Sequence, residues 1–169
     1  MKKNSGFTLL ELIVTVALIA IVTAIAVPGM RAFSQNDRLI TNINTLIGHL
    51  AYARSEAVKR SQQVSICVSN NTTGCTGGNW QDGWIVYIDA DGNNSHSAGE
   101  EILRVNQAFA VTNTVTTTIG NQITYDYRGF ASAGAGGSLL LCDGRSGPYG
   151  KTVNISATGR VRFQDKSTC

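Results

Sequence analysis

The chain has 169 residues, of which 43% are hydrophobic and only 15% are charged, and its formal net charge is +3. This length allows one compact domain and one long helix, but it leaves too few residues for two independent cores. The small net charge gives no indication of a polyanion partner recognised by bulk charge alone.

The N-terminus contains an apolar segment long enough to cross a membrane. From Phe7 to Val27 the only ionisable side chain is Glu11, and Lys2 and Lys3 precede the segment. A helix of about 21 residues spans the ~30 Å hydrocarbon layer of a bilayer. The two lysines favour an N-terminus in the cytoplasm, by the positive-inside rule. The segment therefore predicts a single-pass membrane helix.

A cleavable secretory signal is an alternative for this segment, because Ala24 and Ala26 resemble the small residues of a cleavage site. Two observations favour a retained helix instead. The apolar run has spanning length, and a carboxylate inside it costs about 2.5 to 3.5 kcal/mol on insertion scales. A signal peptide that is removed after export would gain nothing from the free-energy cost of inserting this carboxylate. A single-pass membrane protein that is never cleaved is a further alternative.

A second helical pattern follows the apolar run. Pro28 and Gly29 separate the two, and since a proline inside a helix removes a hydrogen bond and clashes with the preceding turn, we expect a kink or a local melt there. Beyond it, apolar residues recur at spacings of four and three, and the helix should continue to about Lys59. This stripe, which we expect to pack on a sheet, consists of Leu39, Ile43, Leu46, Leu50, Ala53 and Ala57.

From Val64 onward the pattern changes to short β-type runs separated by turn residues. The predicted strands are 64–68, 84–88, 102–105, 111–119, 123–127, 138–142, 151–155 and 160–163. One long helix followed only by strands predicts an α+β fold, in which the helix covers antiparallel sheet. We divide the chain into a leader at 1–6, a membrane helix at 7–27, its amphipathic continuation at 28–60 and a β-rich domain at 61–169.

The four cysteines indicate disulfides and an oxidising compartment. Their number is even and none stands in a CxxC spacing, which favours disulfides over a metal site. Cys67 and Cys75 flank a polar turn segment and would close a small loop. Cys142 and Cys169 would join the tail to a core strand. Connectivity is not fixed by the sequence, and two other pairings remain open.

Neither a metal site nor a catalytic site is indicated. The segment from Asp89 to Asn93 has oxygen ligands at alternate positions, as a calcium loop does. The calcium motif also needs a glycine at position six and a glutamate at position twelve. This chain has Asn94 and Glu100 there, so only the second requirement is met. An Asp/Asn/Gly turn explains the composition without metal. The chain has two histidines and lacks the HExxH, GxSxG and phosphate-loop motifs. We therefore predict no cofactor, no metal and no enzymatic activity.

The stretch from Gly6 to Leu12 resembles the class III prepilin motif of type IV pilins, with glycine, phenylalanine and glutamate at the family spacing. The resemblance implies that a prepilin peptidase cuts between Gly6 and Phe7 on the cytoplasmic face and methylates Phe7. It also implies that Glu11 pairs with the terminal amine of a neighbouring subunit during assembly. Such a pair lowers the joint cost of two charges that are each costly in lipid.

The remainder of the chain resembles the GspH/FimT-like minor pilins and pseudopilins. The matching stretches are 52–58, 83–89, 99–103 and 159–162. The resemblance implies a bacterial inner-membrane protein with its C-terminal domain in the periplasm, assembled with other pilin subunits into a pilus or pseudopilus. We predict a minor pilin of a type IV pilus, closest to the FimT-like members. The alternatives are an assembly-only minor pilin and a GspH-type pseudopilin of a type II secretion system.

The C-terminal quarter is locally cationic. From Arg128 to Cys169 there are six basic and two acidic residues, a net charge of +4. The Gly-Arg-x-Arg stretch at 159–162 resembles the DNA-binding motif of the FimT-like group, which is associated with DNA uptake. Arg160 and Arg162 alternate on a predicted strand, so both would reach phosphates from one face. The predicted DNA surface also includes Arg145, Lys151 and Lys166. Alternatively, these cations only keep an exposed edge strand soluble.

Overall fold

The computed structural model describes residues 7–109, 113–131 and 136–169. In these residues one long helix, α1 (Leu9–Arg60), precedes all the strands. The strands are β1 (Gln63–Val68), β2 (Gly83–Asp89), β3 (Ile102–Gln107), β4 (Thr114–Thr117), β5 (Gln122–Tyr125), β6 (Gly137–Cys142), β7 (Gly150–Ile155) and β8 (Val161–Ser167). A short 3-10 helix, Trp80–Asp82, leads into β2. Each of these strands overlaps one predicted from the sequence, although residues 111 and 112 of the fourth prediction lie outside the described residues.

The chain divides into two compact units, Met1–Asp37 and Arg38–Cys169. In the described part of the first unit, every side chain from Phe7 to Gln35 is exposed. A window of this part of α1 has a mean hydropathy of 2.7 and none of it is buried. By length and composition, α1 therefore contains a segment that could cross a membrane.

Pro28 lies inside α1, and the helix continues on both sides of it. Of the two expected alternatives, a kink or a local melt, the melt is therefore wrong. A proline removes only one backbone hydrogen bond. The long helical stretches on both sides of Pro28 keep their own hydrogen bonds, and extending a helix that has already formed costs little free energy per residue. The loss of a single bond is not enough to interrupt a helix of 52 residues.

The second unit contains two four-stranded antiparallel sheets, with strand orders β3-β2-β1-β5 and β4-β6-β7-β8. The apolar stripe of α1 predicted from the periodicity is buried, each member being at most 2% exposed. It joins one hydrophobic cluster with residues of both sheets, including Ile66, Val86, Leu139 and Val153. The predicted α+β class, with a helix packed on antiparallel sheet, is confirmed.

Trp84, in β2, is the central aromatic residue of this core. Its side chain is fully buried and meets the Phe109 ring edge-on at a centroid distance of 5.4 Å. Its indole N–H donates a hydrogen bond of 2.9 Å to Nδ1 of His49 on α1. Burial, with a further contribution from Arg104, lowers the pKa of His49. The imidazole is therefore neutral at pH 7, as an acceptor at Nδ1 must be.

Two disulfides stabilise the β-rich part. One joins Cys67 and Cys75, which closes the loop after β1. The other joins Cys142 at the end of β6 to Cys169, across a sequence separation of 27 residues. In the chain-entropy account, a bridge over such a loop contributes about 3 to 4 kcal/mol by restricting the unfolded state. None of the four cysteines has a free thiol.

Candidate assembly helix and basic surface

The start of α1 positions the acidic side chain at residue 11. Thr8 precedes the helix, and its hydroxyl oxygen accepts a hydrogen bond of 3.3 Å from the backbone N–H of Glu11. Thr8 is therefore the N-cap of α1. Around Glu11 the surface is apolar, with Phe7 and Leu10 at 78% and 73% exposed. Gly6, the other predicted processing residue, lies outside the described residues.

Within the described part of the chain, no cation forms an ion pair with Glu11. In lipid, a carboxylate without a partner is costly. Residues 7–109, 113–131 and 136–169 therefore supply no counter-charge for this carboxylate.

Two of the predicted DNA contacts are held in ion pairs within the chain. Nη2 of Arg145 lies 2.6 Å from a carboxylate oxygen of Asp143, and only 18% of the Arg145 side chain is exposed. The Lys151 side chain is 10% exposed and is paired with Asp165. Arg145 and Lys151 therefore do not join an exposed cationic surface, which corrects their grouping with the other basic residues. The sequence already indicated the ion pair of Arg145, because Asp143 is only two residues away from it.

Strand β8 is the outer strand of the second sheet, and its register fixes which of its side chains share a face with the buried residues of β7. Val161 pairs with Ile155 and Phe163 pairs with Val153. Both partners on β7 are buried. Because side chains alternate along a strand, Arg162 lies on the opposite, solvent-facing side of the sheet.

Arg160 and Arg162 are both exposed. In the described residues neither forms an ion pair with a carboxylate. Arg160 precedes β8 instead of lying in a strand as predicted, and Ser156 fixes its backbone. The N–H of Arg160 donates to Ser156 Oγ at 3.2 Å, and its carbonyl accepts the Ser156 N–H at 3.0 Å. Lys166 is also exposed, near the other end of β8.

Gly159, the first residue of the Gly-Arg-x-Arg stretch, has a packing role that its sequence does not reveal. It is buried with a φ of 74°, in the left-handed region. A Cβ there would overlap the Gly129 carbonyl oxygen and would lie 3.1 Å from Arg54 Nε. That Nε donates to the same Gly129 oxygen at 2.9 Å, and Arg54 Nη2 donates to the Thr158 carbonyl at 3.2 Å. Helix α1 and two turns meet here with no space for a side chain.

Gly159→Ala is expected to lower the free energy of unfolding by about 2 to 4 kcal/mol, from left-handed strain and overpacking together. Urea unfolding of the detergent-solubilised chain, followed by tryptophan fluorescence, measures the change. Gly144→Ala is the matched control, because it meets nothing within 4 Å and has no positive φ. Equal unfolding midpoints for the two variants would contradict the packing role of Gly159.

Comparison with known families decides the class of protein. The family described as Type II transport protein GspH matches residues 42–159, and a prokaryotic N-terminal methylation motif matches residues 1–27. The chain belongs to the GspH family. As a GspH-family protein it is a pilin-like subunit, of the kind found as minor pilins and pseudopilins, and such subunits assemble with other pilins in a filament.

Individual relatives of the GspH-family chain agree with this assignment. It is 25% identical over 166 residues to the pilin-like protein PilA1 of Thermus thermophilus, covering 94% of this chain and 97% of the relative. The type IV minor pilin FimU of Pseudomonas aeruginosa has a similar structure, with a TM-score of 0.60 and 22% identity over 80% of this chain and 95% of FimU. The minor pseudopilin EpsH of the Vibrio cholerae type 2 secretion system gives a TM-score of 0.56 and 10% identity over 76% of this chain and 97% of EpsH. The predicted pilin-like fold is confirmed.

Proposed function

We propose that this GspH-family chain is a minor pilin of a type IV pilus, anchored in the bacterial inner membrane with its β-rich domain in the periplasm. A prepilin peptidase removes residues 1–6 by cutting after Gly6 and methylates Phe7. Residues 7–27 form the membrane and assembly helix, 28–60 its continuation, and 61–169 the periplasmic domain. The match of the N-terminal methylation motif and the nearly full-length likeness to a pilin-like protein support this role.

Glu11 is the assembly contact in this proposal. Its carboxylate lies in the first turn of α1 on an apolar surface. The terminal amine of a processed neighbouring subunit would be a cation of the required chemistry at a comparable depth in the membrane. Pairing these two charges lowers the cost of both and fixes the axial position of one subunit relative to the next.

The β-rich domain contacts DNA through Arg160 and Arg162. The observation that carries this proposal is that both guanidinium groups are exposed at the start of an edge strand without an ion-pair partner in the described residues. Lys166 is a further exposed cation on β8. Two or three cations neutralise few phosphates, so the binding is weak, independent of base sequence and strongly dependent on salt. A filament that presents several copies gains affinity by avidity.

Fluorescence anisotropy with a labelled duplex tests the DNA contact, using the full chain in non-ionic detergent at about 50 and 200 mM salt. The wild type is expected to bind at the lower salt and to release at the higher. Arg160→Gln/Arg162→Gln should reduce the slope of log affinity against log salt by about 2, since each lost phosphate contact contributes about 0.9.

The matched control is Arg31→Gln/Arg38→Gln, which removes the same charge from two exposed positions on α1. Equal losses in the two variants would indicate a bulk-charge effect and would exclude a surface on β8. No binding by the wild type at the lower salt would exclude the DNA contact and leave an assembly-only minor pilin.

A pseudopilin of a type II secretion system is the second candidate. The observation that favours it is the match to the family described as a type II transport protein, over 42–159. Purified filaments separate the two candidates. A pilus subunit is recovered with type IV pili sheared from cells, whereas a secretion pseudopilin is absent from that fraction and its deletion blocks protein secretion.

A further inference from the structure

Three carboxylates converge where β2 ends. Asp89 is the last residue of β2, Asp91 follows it, and Glu100 lies at the far end of the same loop. One oxygen from each residue lies within 4.8 Å of the others. In the described part of the chain, none of the three forms an ion pair with a lysine, arginine or histidine. Three like charges at this separation repel one another unless a cation compensates them.

Asp89 has an oxygen that the protein leaves unsatisfied. The residue is 1% exposed, and its Oδ2 accepts the Asn94 N–H at 3.0 Å and the Ser65 hydroxyl at 3.5 Å. Its Oδ1 is buried without a hydrogen-bond partner. A buried carboxylate oxygen without a donor carries an uncompensated desolvation cost.

A second unsatisfied oxygen lies beside the same loop. Gln63 pairs with Asp89 across β1 and β2, and its side-chain oxygen Oε1 is buried without a partner. That Oε1 is 3.6 Å from the position that a Cβ on Gly92 would occupy, so it faces the loop. Carboxylate and amide oxygens are the ligands that Ca²⁺ prefers.

The backbone of the loop removes one objection to a cation site. The objection from the sequence was that Asn94 stands where a calcium loop has glycine. Asn94 adopts a φ of 59°, in the left-handed region that asparagine tolerates better than most residues. Glu100 closes the loop, because its two carboxylate oxygens accept the N–H groups of Ala90 and Ser97, each at 2.8 Å. The loop is therefore organised before any ion binds.

We propose that Asp89, Asp91 and Glu100 bind one Ca²⁺ ion, and that Gln63 supplies a further oxygen. Ca²⁺ suits this set because it accepts several oxygen ligands in irregular geometry, whereas Mg²⁺ requires near-octahedral geometry and keeps most of its waters. The affinity belongs to the class of extracellular calcium modules, with a Kd of about 10⁻⁴ to 10⁻³ M. This role is independent of DNA binding and of filament assembly.

Calorimetric titration of the full chain in detergent with CaCl₂, after treatment with EDTA, tests the site. The wild type is expected to bind one Ca²⁺, and its thermal unfolding temperature should rise with Ca²⁺ concentration. Asp91→Asn should weaken binding at least tenfold, and Asp91→Asn/Glu100→Gln should abolish both the binding heat and the thermal shift. Mg²⁺ should bind at least tenfold more weakly than Ca²⁺.

The matched control is Glu101→Gln, which removes the neighbouring exposed carboxylate that pairs with Arg60 instead of joining the cluster. It should bind Ca²⁺ as the wild type does. Asp91 is exposed, so Asp91→Asn gives a decisive result even if the double variant does not fold. The site is refuted if the wild type shows neither binding heat nor a thermal shift at 10 mM Ca²⁺, or if folded Asp91→Asn binds with unchanged affinity.

Discussion

Replacing Trp84 by alanine is expected to lower the free energy of unfolding of the β-rich domain by about 3 to 5 kcal/mol. The side chain is fully buried and contacts the rings of Trp80 and Phe109. The substitution creates a cavity between these rings, and it also removes the donor to the acceptor nitrogen of the half-buried His49. Both changes act in the same direction, because lost packing and a lost hydrogen bond each destabilise the folded state.

Chemical denaturation of the detergent-solubilised chain, followed by near-UV circular dichroism, measures this change. Trp84→Phe keeps an aromatic ring in the core but loses the N–H donor and part of the packing, so it should destabilise the domain less than Trp84→Ala does. Phe163→Ala is a control for removal of an aromatic ring at the surface, because Phe163 is 50% exposed. A Trp84→Ala variant no less stable than Phe163→Ala would show that Trp84 does not organise the core.

A Glu11→Ala subunit is expected to insert into the membrane but to enter filaments at a level at least about tenfold below the wild type, because loss of a charge pair worth ~1.4 kcal/mol or more changes an equilibrium by that factor. The Glu11 carboxylate has no ion-pair partner in the described part of its own chain. Its removal therefore breaks no ion pair within the described residues. It deprives the neighbouring subunit's terminal amine of its proposed counter-ion.

Immunoblots of sheared filaments and of the membrane fraction measure this ratio, and mass spectrometry of the mature N-terminus shows whether processing after Gly6 is intact. Asp37→Ala is the matched control, because Asp37 is another exposed carboxylate on α1 but lies outside the apolar segment. Filament incorporation of Glu11→Ala at the wild-type level, with normal processing, would rule out the charge pair as the basis of assembly.

The secondary structure of this chain was largely predictable, whereas its strand pairing was not. The buried stripe from Leu39 to Ala57 follows directly from helical periodicity, and the strand runs follow from composition and turn residues. Pairing is a non-local property. Strand β1 pairs with β5 as well as with β2. Strand β4 precedes β5 in the sequence but belongs to the other sheet. No local pattern separates β4 from β5, so the division into two sheets required the structure.

The candidate sites show the same division between local and non-local information. Motif spacing was enough to predict roles for Glu11, Arg160 and Arg162, and these roles stay predictions. The partner of Lys151 is Asp165, 14 residues away, which only the β7–β8 pairing brings near. At the acidic loop, residue identity argued against calcium because position six is not glycine. The backbone angle of Asn94, which a sequence does not report, removes that objection.

The contacts of Arg54 have a mechanical consequence. This single side chain on α1 holds the Gly129 carbonyl, in the turn after β5 of the first sheet, and the Thr158 carbonyl, in the turn before β8 of the second. A tensile load applied along α1, as in a fibre under traction, would therefore reach both sheets through these hydrogen bonds as well as through the buried apolar stripe. The sheets would resist shear together, and the covalent path from α1 into β1 would not bear the force alone.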